Sequence, residues 1–125
     1  MPSAWQNLFY IDFMSKKRME LFIFARFHAR KGQQDAVASA LRDVIGPSRA
    51  EPGCLAIEAY RSTRDSRLFF IHSRWTDEAA FETHAVLPHT VRFVGRVRPL
   101  IDHAMDVTRT RPLQAPKRMR KQTAA

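Results

Sequence analysis

Trp75, His84 and His89 fall within one short stretch, Arg67 to His89, which reads RLFFIHSRWTDEAAFETHAVLPH. An indole and two imidazoles held close together can wall a small pocket and place an acid/base group inside it. Side chains two apart share a face of a strand, so Trp75 points the same way as Ser73 and away from His72. In the segment after Trp75, helical spacing gathers Ala80, Phe81, His84 and Ala85 into one stripe facing the sheet. Burial among apolar groups disfavours a charged imidazole, so a neutral His84 could accept a proton, and it is the candidate general base. The plainer readings stand beside this one. A single His on an apolar helix face is more often a packed, hydrogen-bonded residue, a Trp at a strand end is more often core, and His89 could simply help start the next helix.

The sequence offers little support for other chemistries. His84 and His89 are separated by Pro88 and do not share the i, i+4 face of a zinc pair, and no carboxylate is obviously placed with them, so no metal is expected. His28 and His72 sit in strand-like runs and are expected on the opposite sheet face. With Gly at four positions, the chain has no glycine-rich phosphate loop, nucleophile elbow or dinucleotide fingerprint. Cys54 is the sole cysteine, which excludes an intrachain disulfide and fits a reducing cytoplasm.

The elements that must position these residues can be read from periodicity. ELFIFARFHA, from Glu20, is a strand ended by Lys31-Gly32. Val37, Leu41, Val44 and Ile45 then mark an amphipathic helix over 33–49, which Gly46-Pro47 should break or tighten near its end. EPGCLAIEAYRS gives a turn and a second strand, Arg64-Asp65-Ser66 a polar turn, and RLFFIHSRW a third strand, the two strands forming a hairpin. Thr76 is the expected N-cap of a short helix reaching about Val86, with Asp77 and Glu78 in its first turn. Pro88 separates a further helical stretch over 89–101, with Phe93, Val94, Val97, Leu100 and Ile101 apolar, and a last strand spans 103–111. The order β-α-β-β-α-β, with its second helix split, predicts an α+β, ferredoxin-like fold with an antiparallel sheet covered by helices on one face. Because Phe22, Phe24, Leu68 and Phe70 fall on the uncovered face, two sheets are expected to pack against each other in a homodimer.

At 125 residues the chain supports one domain, expected over 20–112, with an N-terminal extension over 1–19 and a basic, disordered tail over 113–125. The regular pattern starts at Glu20, which makes Met14 or Met19 an alternative start of translation. Much of the net charge of +9 comes from Lys16, Lys17 and Arg18 and from Lys117, Arg118, Arg120 and Lys121. The body is therefore only weakly basic, and without interleaved aromatics or a groove-reading motif the sequence argues against nucleic acid as a partner. The apolar run LFYIDFM is too short to span a membrane and is interrupted by Asp12.

From Glu20 to Arg111 the chain resembles the antibiotic biosynthesis monooxygenase family of dimeric α/β-barrel proteins, through Gly53-Cys54, Trp75, Ala79 to His84 and Pro88-His89. The resemblance implies a small aromatic or quinol-like substrate, bound between sheet and helices and oxidised by molecular oxygen without flavin or metal. His84 would take the phenolic proton, Ser73 would hydrogen-bond the substrate oxygen, Trp75 and Phe93 would shape the pocket, and His89 would orient the substrate or relay a proton. Members often carry Glu where this chain has Ser73, so a carboxylate-dependent version of the chemistry is not implied. Haem-degrading members use an Asn, a Trp and a His ligand at positions occupied here by Ala25, His84 and Val94, so the resemblance does not extend to haem degradation. Two other classes share the fold: a non-redox isomerase using the same base, and a non-catalytic dimeric ligand-binding or stress protein.

Overall fold

The structure is a computed structural model that describes residues 19–114. Most of the N-terminal extension and of the basic tail expected from the sequence lies outside these residues. Strand β1 (Leu21–His28) leads through a turn in which Gly32 takes the left-handed φ of 85° to helix α1 (Gln34–Arg49). The hairpin β2 (Cys54–Arg61) and β3 (Leu68–Trp75) follows, then helices α2 (Glu78–Val86) and α3 (Pro88–Val97), a 3-10 turn (Arg98–Leu100) and β4 (Asp106–Thr110).

The sheet is antiparallel with strand order β2-β3-β1-β4, and the helices lie on one face, which is the ferredoxin-like α+β arrangement. It is open, with β2 and β4 as edges, and does not close into a barrel within the chain. Period-two burial fixes the register: Leu21, Ile23, Ala25 and Phe27 of β1 and Phe69, Ile71, Ser73 and Trp75 of β3 are buried under the helices. Helix α1 packs Val37, Leu41, Val44 and Ile45 onto this face, and α3 adds Phe93 and Val97. Phe27 and Phe93 meet edge to face, 5.7 Å between ring centres.

Three boundaries differ from the sequence expectation. The N-cap of α2 is Asp77 rather than Thr76: the Asp77 side chain accepts the Ala80 N–H at 2.8 Å, while the Thr76 N–H is spent on the Gly53 carbonyl. The last strand begins at Asp106 rather than 103, because pairing with β1 starts at Arg26 opposite Asp106. The last helix gives way to the 3-10 turn at Arg98, next to Pro99, so the expected helix over 89–101 ends early. Pro47 tightens the end of α1 without breaking it. The Ala50 and Glu51 N–H groups donate three residues back, to the Pro47 and Ser48 carbonyls.

The other sheet face carries Phe22, Phe24, Tyr60, Phe70 and His72, and Phe24 and Tyr60 are about half exposed. At one end of β1 the His28 ring bridges two carboxylates, Nδ1 to Asp102 at 2.7 Å and Nε2 to Asp65 at 3.0 Å. These bonds, Asp102 first, raise its pKa above the ordinary 6.5, and they tie the β2–β3 turn to the segment entering β4.

Candidate active site

Between the sheet and helices α1, α2 and α3 lies a cavity of about 320 Å³, at the small end of the range that encloses small-molecule ligands. Its apolar walls come from the inward parity of the strands, with Ile23, Phe27, Ile57 and Ile71, and from Val44 of α1 and Phe93 of α3. Ser48, Ser73, His84 and Thr90 supply its polar atoms. An apolar chamber with a few convergent polar groups suits a ligand with one polar end on an otherwise flat or greasy body.

Of the residues singled out in the sequence, Ser73, His84 and Phe93 line this cavity, whereas Trp75 and His89 stand behind its wall. Trp75 is fully buried, donates its indole N–H to Ser73 Oγ at 3.0 Å, and lies against the His84 ring with centres 4.5 Å apart. It therefore fixes the orientation of two cavity residues without being one itself. Shared strand parity brought Ser73 and Trp75 together as expected.

The expectation that no carboxylate stands with the two imidazoles does not hold. Glu51, in the turn between α1 and β2, places Oε2 2.7 Å from His84 Nδ1 and 2.7 Å from His89 Nε2. Three features deliver it there: the tightened end of α1, the Cys54 N–H donating to the Glu51 carbonyl at 3.0 Å, and the Thr76 N–H donating to Gly53. An ionised carboxylate only accepts, so the hydrogens sit on His84 Nδ1 and His89 Nε2. Thr90 Oγ1, 3.3 Å from His84 Nδ1, shares the first of them. His84 Nε2 is then the nitrogen that carries a lone pair, on the one imidazole lining the cavity. Sequence spacing could not reveal Glu51, which is far from His84 along the chain.

Ser48 is the second residue that sequence reasoning missed. It is fully buried, lines the cavity, and its hydroxyl has no hydrogen-bond partner. A buried, unpartnered hydroxyl is costly, and a ligand oxygen in the cavity would satisfy it. At Cys54, near Glu51, burial and then the Glu51 carboxylate push the thiol pKa up, which disfavours the thiolate.

A family model described as antibiotic biosynthesis monooxygenase matches residues 21–96. Over 91 residues, 73% of this chain and 89% of the other, the sequence is 30% identical to a Mycobacterium tuberculosis protein named "Putative monooxygenase Rv0793". The solved structure of Rv0793 is similar at a TM-score of 0.73 and 27% identity, covering 77% of this chain and 97% of that one. PA3566 from Pseudomonas aeruginosa is similar at a TM-score of 0.73 and 31% identity, covering 78% of this chain and 98% of that one.

Gly53 is where the turn carrying Glu51 meets α2, and an added Cβ there would stand 2.4 Å from Ala80 Cβ. Gly53→Ala should therefore force the turn and α2 apart and lower stability by about 1–3 kcal/mol in denaturant titrations. An unchanged unfolding midpoint would show that this contact does not hold the site together.

Proposed function

Because the chain belongs to the antibiotic biosynthesis monooxygenase family, we propose that it is a monooxygenase that oxidises a small aromatic or quinol-like molecule with molecular oxygen, using His84 as the base. The observation that carries this reading is the position of His84: its ring lines an apolar cavity while Nδ1 is held by a buried carboxylate. Glu51 acts as the positioning residue. It holds the tautomer that leaves Nε2 basic and stabilises the imidazolium formed when a proton arrives.

The chemistry runs on the substrate's own electrons. His84 Nε2 takes the phenolic proton, and the electron-rich phenolate gives one electron to oxygen. The resulting substrate radical and superoxide combine at a ring carbon that bears hydrogen. The imidazolium returns its proton to the peroxide so formed. Loss of that carbon's hydrogen with cleavage of the O–O bond leaves a quinone carbonyl and one molecule of water. One oxygen atom of O2 is thus retained and the other leaves as water. The apolar walls keep water from the charged and radical pair until it collapses. Ser48 and Ser73 are suited to hold the substrate's oxygen, and Phe93 to pack its ring.

We further propose that the chain works as a homodimer joined through the outer sheet face. The support is the apolar surface around Phe24 and Tyr60, which is unusual to leave in water. Burying the exposed half of a side chain such as Phe24 contributes about 1 kcal/mol.

Oxygen uptake and product mass should be followed with a dihydroxynaphthalene as the probe substrate. His84→Gln is expected to lower kcat by about 100-fold or more, and turnover equal to that of the unaltered protein would remove His84 as the base. Product formed without oxygen consumption would replace the monooxygenase with a proton-moving isomerase. Sedimentation velocity should give the mass of two chains at micromolar concentration, and a monomer there would sink the sheet-to-sheet dimer.

A further inference from the structure

Glu51, His84 and His89 have the donor set of a metal centre as well as of a hydrogen-bonded triad. One ligand atom from each lies within 4.8 Å of the others. The side chains keep only 9%, 11% and 19% of their exposure, so the donors are largely shielded from water. Among the described residues no Lys or Arg pairs with Glu51, whose ionic partners are these two imidazoles. A buried carboxylate is met in proteins by paired hydrogen-bonding groups or by a coordinated cation, and here its two partners are themselves metal-ligand side chains.

We propose that Glu51, His84 and His89 form a binding site for one divalent transition-metal ion of the zinc class. Two imidazole nitrogens and a carboxylate oxygen are a donor set that such ions favour, and three protein ligands leave a position open for water or a small anion. Zinc binds such donors at about 2.0–2.2 Å, which places them roughly 3.3 Å apart in a tetrahedron. Glu51 Oε2 is 2.7 Å from each nitrogen, so the ion needs this oxygen to stand about half an ångström further from both, less than a rotamer change.

The cluster around His28 has a similar composition without the same convergence. There one imidazole meets two carboxylates, but Asp102 is on Nδ1 and Asp65 on Nε2, so the donors face opposite edges of the ring and cannot converge on one ion. In the Glu51 cluster they do converge.

An ion at this site does not take part in the oxygen chemistry but bears on its base. A metal on His84 Nδ1 displaces the hydrogen that Glu51 accepts and moves it to Nε2, where it blocks proton uptake. Metal occupancy and base function at His84 therefore exclude one another, and the ion acts as an inhibitor of the base.

The test uses the full chain, stripped with a chelator and titrated with zinc or cobalt(II) alone, with no substrate present. Calorimetry should find one ion per chain. His89→Gln and Glu51→Gln should each weaken binding at least tenfold, with His28→Gln unchanged. In the unaltered protein, zinc should shift the ring resonances of His84 and His89 and leave those of His28 in place, a readout that needs no variant to fold. Stoichiometry far below one, affinity unchanged in His89→Gln, or zinc-induced shifts that miss His84 and His89 would overturn the proposal. None of these readouts depends on turnover, so the site can fail while the monooxygenase reading survives, and the reverse.

Discussion

The Glu51 carboxylate is the point on which the site turns, because one oxygen atom receives two imidazole N–H groups while the side chain is almost fully buried. A charge taken from water must be met by hydrogen bonds, and here each bond also sets a tautomer. His84 comes from α2 and His89 from the start of α3, so the same oxygen fixes the joint between two helices that Pro88 keeps separate. Removing the carboxylate would leave two ring nitrogens without their acceptor and release the angle between those helices. The cavity wall, and with it the proposed chemistry, thus depends on a residue that does not itself line the cavity.

The sheet provides the fixed frame for this arrangement. Strand parity sends Ile23, Ile71 and Ser73 into the cavity and Phe22, Phe24 and His72 to the opposite face, so a register slip of one residue would exchange the two. Trp75 transmits that register to the helices. Its N–H holds Ser73, and its ring backs His84. The size of the cavity follows from what α1 and α3 leave unfilled between Val44, Ser48 and Phe93, and among the residues lining it Ser48 stands out because its hydroxyl lacks a partner.

Much of this was legible in the sequence because it rests on local periodicity. The alternation in ELFIFARFHA and RLFFIHSRW, the stripe from Val37 to Ile45, and Pro88 as a helix divider are enough to give the element order and the helical layer that the structure shows. The inward stripe of α2 brought His84 to the sheet for the same reason. What stayed hidden rests on contacts between segments distant along the chain. Glu51 reads as an ordinary turn residue before Pro52-Gly53, and it reaches the imidazoles through the tightened end of α1 and the backbone bonds that tie its turn to the end of β3. Ser48 reads as one more polar residue near a helix end, until the tightened last turn leaves it under the sheet. That Trp75 and His89 fall outside the residues lining the cavity is likewise not legible, because spacing reports proximity and not which side chain stands in front of which.

The proposed base depends on Glu51 holding His84 in the form that leaves Nε2 basic. The most direct measurement is the tautomer of the His84 ring in metal-free protein, read from its long-range 15N couplings near neutral pH. Held by Glu51, the neutral form of the ring should carry hydrogen on Nδ1 and none on Nε2. A neutral ring with hydrogen on Nε2 would contradict it, because the carboxylate would then have no hydrogen to accept from His84 and the cavity no base.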